Sequence, residues 1–92
     1  MKNTQKVTQE WVNKIEALQY EVNARRELMM HMIEGDVDPE SAGYVRYHRE
    51  YLEFFKKLEQ AKEEFAEEYI YPQTNGERVP WNLDFKTQTV SF

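Results

Sequence analysis

Between Thr8 and Glu34 the side chains at Trp11, Ile15, Leu18, Val22, Arg25, Met29 and Met32 follow one another at alternating intervals of four and three. That spacing puts all of them on one side of an α-helix, a heptad-like stripe interrupted only by Arg25. A helix over 8–34 is predicted, with Thr8 as its N-cap, Glu10 in the first turn, where the helix dipole favours an anion, and Gly35 as its stop. The stretch EGDVDPES then reads as a turn, with Asp38 as N-cap and Pro39 as the first residue of a second helix. This helix is expected over 39–71, ending before Pro72.

The second helix carries two apolar stripes. One runs through Tyr44, Tyr47, Tyr51, Phe54, Leu58, Ala61 and Phe65; the other holds Val45, His48, Leu52 and Phe55. Adjacent stripes make a face wider than one antiparallel neighbour covers. One stripe is expected to pack on the first helix. The other needs a cover, which could be a second copy of the chain, the C-terminal tail or a different protein.

After Pro72 the pattern changes period. Asn75-Gly76 signals a turn, and Trp81, Leu83 and Phe85 then alternate with Asn82, Asp84 and Lys86. Thr87 and Thr89 keep that phase, whereas Val90 and Phe92 fall on the other one. An extended segment with one apolar face is expected, with no sheet to join inside the chain. It would lie along the hairpin or add to a partner's sheet edge. The expected fold is therefore all-α, an antiparallel two-helix hairpin within 1–72 followed by an extended arm, 73–92, with a four-helix bundle available to a dimer.

Composition narrows the function classes. At 92 residues the chain has room for one domain, and aromatics at 14% set it apart from disordered sequences. It has no cysteine, so it offers no disulfide, thiolate nucleophile or zinc–thiolate site. The N-terminus has no apolar core of a secretory signal and no run is long enough for a membrane span, so a cytoplasmic location without membrane association is expected. The net charge of −5 argues against general nucleic-acid binding. The segment 73–92 balances Glu77 and Asp84 against Arg78 and Lys86, which leaves the acidity on 1–72.

No constellation points to a reaction. The glycines are far apart, ruling out a phosphate loop, and no catalytic triad or isolated carboxylate pair is evident, so no catalytic residue and no cofactor are assigned. His31 and His48 lie at unequal distances from the bend, with an axial mismatch of roughly 9 Å, too far to share one metal ion. Arg25, Arg26, Arg46 and Arg49 should share one level of the hairpin and form a candidate anion site. The opposing reading is that Glu21, Glu50 and Glu53, each four residues from an arginine, consume those charges. The acidic run Glu63-Glu64 and Glu67-Glu68 reads as a solvated face.

Lys6-Val7-Thr8, Glu10, Ile15, Leu18, Asn23-Ala24 and Glu27-Leu28 resemble the opening of the CXXX repeat peptide modification system proteins, small helical proteins that accompany enzymes modifying ribosomally made peptides. The resemblance covers about 6–28. Trp11-Val12 and the aromatic tail depart from it. It implies an accessory, partner-binding role and carries over no catalytic residue.

These readings converge on a non-catalytic interaction module, an accessory subunit or adaptor. Its partner-binding residues would be Tyr44, Tyr47, Tyr51, Phe54, Trp81, Leu83 and Phe85. A self-associating four-helix dimer is the second expectation. A small acidic inhibitor occupying a nucleic-acid site on an enzyme is the third.

Overall fold

A computed structural model describes residues 3–35, 38 and 40–92. In chain order the elements are β1 (Thr4–Lys6), α1 (Gln9–Glu34), α2 (Ala42–Tyr69), a 3₁₀ turn (Tyr71–Gln73), β2 (Asn82–Asp84) and β3 (Thr89–Ser91). They form two compact units, one of Met1–Glu16 with Gln60–Phe92 and the other of Ala17–Glu59.

The two helices start from caps that satisfy their free N–H groups. Thr8 Oγ1 accepts the Trp11 N–H at 3.4 Å, as the sequence predicts for α1. The start of α2 corrects the expectation. Ser41 Oγ, not Asp38, accepts the first-turn N–H, that of Tyr44 at 3.3 Å, and the helix begins at Ala42. Asp38 instead closes the turn before it. Its Oδ1 accepts the Glu40 N–H at 2.9 Å and its carbonyl accepts the Ser41 N–H at 2.9 Å. A short Asx turn thus competes with the helix for the same residues and hands the cap to Ser41. Pro39, expected at the first helical position, lies outside the described residues. At the other end α2 stops at Tyr69, and Pro72 sits in the 3₁₀ turn that follows.

The all-α expectation needs a correction as well. The tail does find a sheet inside the chain, a three-stranded antiparallel one in the order β1-β3-β2. The missing strand is the N-terminus itself. Thr4, Gln5 and Lys6 pair with Ser91, Val90 and Thr89. Bonds between Asn3 and Phe92 (2.7 and 3.0 Å) and from the Val7 N–H to the Gln88 carbonyl (2.9 Å) extend the ladder at both ends.

Two turns shape the tail. Asn75 and Gly76 both have positive φ, 55° and 84°, and the Glu77 N–H returns to the Thr74 carbonyl at 3.1 Å. That is the primed turn the Asn-Gly pair favours. Between Asp84 and Thr89 the chain reverses through Phe85–Gln88, where Asp84 Oδ1 accepts the N–H groups of Lys86 and Thr87 at 2.9 and 3.2 Å. Gln88 takes the left-handed conformation there, with φ 56°. This reversal explains the phase change along the tail. Leu83 pairs directly with Val90 across β2 and β3, so an odd and an even position share one face.

The unit of 1–16 and 60–92 has a core. Val7, Val12, Ile15, Ala61, Phe65, Ala66, Ile70 and Val90 are buried in it. Trp11 and Trp81 both meet Phe65, edge-on at 5.6 Å and tilted at 5.0 Å between ring centroids, and Tyr69 meets it at 4.9 Å. Such ring pairs add about 0.5–1.5 kcal/mol each beyond the area they bury. Polar ties run across the same unit. Trp11 Nε1 donates to Glu68, Lys14 lies 3.6 Å from Glu64, and the Arg78 guanidinium meets both carboxylate oxygens of Glu63 at 2.9 and 3.2 Å. The acidic run read as a solvated face therefore fastens α1 and the tail to α2.

The unit of Ala17–Glu59 is two helical segments. Val22 and Leu58 are its only fully buried apolar residues among those described.

Candidate interaction surface

In the unit of 17–59 the tyrosine stripe is the one turned inward. Tyr44, Tyr47, Tyr51 and Phe54 are all half-buried, as are Leu18, Arg25, Met29 and Met32 on α1. The second stripe is left outside. Val45 is 43% exposed, Leu52 42% and Phe55 38%, and His48 between them is exposed too. Tyr20, Leu28, Met30 and Ile33 on α1 are also exposed. Every large apolar side chain that stays exposed among the described residues belongs to this one unit.

The interruption at Arg25 is resolved by its neighbours. Its guanidinium carbon lies 4.0 Å from the centroid of the Phe54 ring, where a planar cation meets the negative face of the ring. Arg25 Nη1 donates to the Glu21 carboxylate and also, at 3.3 Å, to the Glu21 carbonyl. Its Nε is buried without a hydrogen bond and lies 3.7 Å from Glu50. Glu50 in turn lies 3.5 Å from Arg46. The arginine level thus brings Arg25 and Arg46 together through a shared carboxylate. Arg26 and Arg49 are exposed and form no ion pair among the described residues. Lys57 approaches Phe54 as well, 5.0 Å from its centroid, and Lys56 is exposed beside the outer stripe.

Trp81, Leu83 and Phe85 belong to the other unit, where they are half-buried. Trp81 is held against Phe65, and Leu83 is in register with the buried Val90. The seven residues expected to bind a partner are therefore divided between the two units. The outer stripe of Val45, Leu52 and Phe55 was visible in the sequence as the second stripe, but its spacing alone did not say which of the two would face out. The pairing of Glu50 with Arg46, four residues before it, is the one the sequence offered as the opposing reading; the second approach of Glu50, to Arg25 on the other helix, was not foreseen.

His31 lies 3.9 Å from Glu34, and the His48 ring stacks on Tyr44 with centroids 6.2 Å apart. Among the described residues no three His, Cys, Asp or Glu side chains gather where a metal ion could be held, and no helix is long and apolar enough to cross a membrane. No family model, curated protein or solved structure matches the chain.

Proposed function

We propose that the chain is a non-catalytic interaction module, an accessory subunit or adaptor that binds another protein through the exposed face of the 17–59 unit. One observation carries this reading. The chain buries its tail against its own N-terminus and helices, yet leaves Val45, Leu52 and Phe55 uncovered on one side of α2. Three apolar side chains exposed together on one helix face are what a partner's side chains can cover. The likeness of 6–28 to small accessory proteins of peptide-modifying systems supports the same role beside a larger enzyme.

The test is a comparison of the tagged full-length chain with its Leu52→Asp/Phe55→Asp variant in co-purification from the native source. A protein recovered stoichiometrically with the first and lost with the second supports the reading. Equal recovery with both contradicts it.

A further inference from the structure

We infer that Asn75 is a site of spontaneous deamidation that the fold holds shut, so that its conversion marks molecules whose tail turn has opened. Asn75 is the one asparagine in the sequence followed by glycine. Both residues are exposed, and nothing lies within 4 Å of where a Gly76 side chain would begin. No bulk therefore shields the Gly76 nitrogen from the side-chain amide before it, and asparagine is among the thermolabile residues.

The chemistry needs only water and hydroxide. Hydroxide takes the Gly76 N–H proton, and the nitrogen attacks the Asn75 Cγ. The new C–N bond closes a five-membered succinimide. The side-chain nitrogen takes a proton from water and leaves as ammonia, which restores the hydroxide. Water then opens the ring at one of its two carbonyls. One opening gives aspartate, and the other gives isoaspartate, in which the main chain runs through the former side chain.

Two features of the turn oppose the first step. The Gly76 N–H is already donated to the Tyr71 carbonyl at 2.9 Å, and a hydrogen bond to the neutral form disfavours the anion that must attack. The second feature is the backbone of Asn75. With φ 55° as the first central residue of a primed turn, its ψ is about 30°. That angle points the Gly76 nitrogen away from the Asn75 Cβ, whereas the ring needs the two nearly eclipsed. Rotation into line breaks the bond from the Glu77 N–H to the Thr74 carbonyl, 3.1 Å, and the one from Thr74 Oγ1 to the Glu77 carbonyl, 2.8 Å. Deamidation thus waits on opening of the turn. The mark is lasting, because isoaspartate lengthens the main chain inside the loop that the Thr74–Glu77 bonds close.

The test holds the full-length chain at mildly alkaline pH in buffer and, in parallel, in guanidinium chloride. Mass spectrometry of the tryptic fragment 63–78 follows the mass gain at Asn75, and isoaspartate is read by methylation with an isoaspartyl methyltransferase. Asn75 should convert at least about tenfold more slowly in the folded chain, the factor that about 1.4 kcal/mol of turn opening gives. Thr74→Ala removes one of the bonds that must break. It should speed conversion in buffer roughly two- to tenfold, with the rate in denaturant unchanged and a circular dichroism spectrum like the parent's. Equal rates for the parent in buffer and denaturant overturn the inference. So does conversion led by another asparagine in denaturant, or a Thr74→Ala rate in buffer equal to the parent's.

Discussion

Trp81 stacks on Phe65 with ring centroids 5.0 Å apart and an interplanar angle of 32°. Through this contact the tail becomes part of the core, although its alternating pattern can equally be read as a strand for another protein. Phe65 is fully buried, and Trp81 is one of three rings around it.

Trp81→Ala should therefore lower stability by about 2–3 kcal/mol, somewhat below the usual cost for a fully buried tryptophan. Urea unfolding monitored by circular dichroism measures it. A variant with native stability and lost partner binding would place Trp81 in an interface instead.

Surface positions on the outer stripe should behave in the opposite way. Leu52→Asp, at a residue 42% exposed, should change unfolding free energy by no more than about 0.5 kcal/mol. Thermal melts of the variant and parent should nearly superimpose. A large loss would mean that the chain itself covers Leu52.

Arg25 separates charge from packing. Arg25→Ala removes the cation from the Phe54 ring and the aliphatic stem beneath it, a loss of about 1–2 kcal/mol. Arg25→Met keeps the volume and removes a buried Nε that has no hydrogen-bond partner. It should be neutral or stabilising, since a well-packed apolar replacement often equals or exceeds a buried ion pair. Denaturant midpoints make the comparison, that of Arg25→Ala expected below the parent's and that of Arg25→Met at or above it.

Tyr71 gives a pH-dependent handle. Loss of solvent around its ring, together with the hydrogen bond it donates to Glu63 at 3.0 Å, raises its pKa above 10, while Arg78 pulls the other way. A tyrosine whose pKa is raised on folding contributes stability while neutral, fully present below its unfolded value and lost as pH rises through the folded one. Ultraviolet titration should show a late-ionising tyrosine that is missing in Tyr71→Phe. The parent's stability should fall more steeply than the variant's above pH 10, the ordinary tyrosine value.

Much of the helical part was legible because side-chain spacing and burial share a period. Each member of the α1 stripe, Trp11 to Met32, is buried or half-buried, and so is each member of the tyrosine stripe on α2. The start of α2 was misread because Asp38 and Ser41 are both good caps, and the choice between them depends on a turn only three residues long. The sheet was missed for a different reason. Thr4–Lys6 has no apolar alternation of its own, and its role as a strand comes entirely from pairing with β3, more than eighty residues away. The outer face was half legible. The sequence showed two stripes, but choosing between them required Phe54 to be placed beneath Arg25, a contact between side chains on different helices.

The most direct measurement is an amide chemical-shift map of the full-length chain during titration with the partner recovered by co-purification. Perturbations should concentrate on residues 45–56 of α2, with the largest at Leu52 and Phe55. Perturbations centred on Trp81, Leu83 and Phe85, or none at saturating partner, would contradict the assignment of the interaction surface to that face.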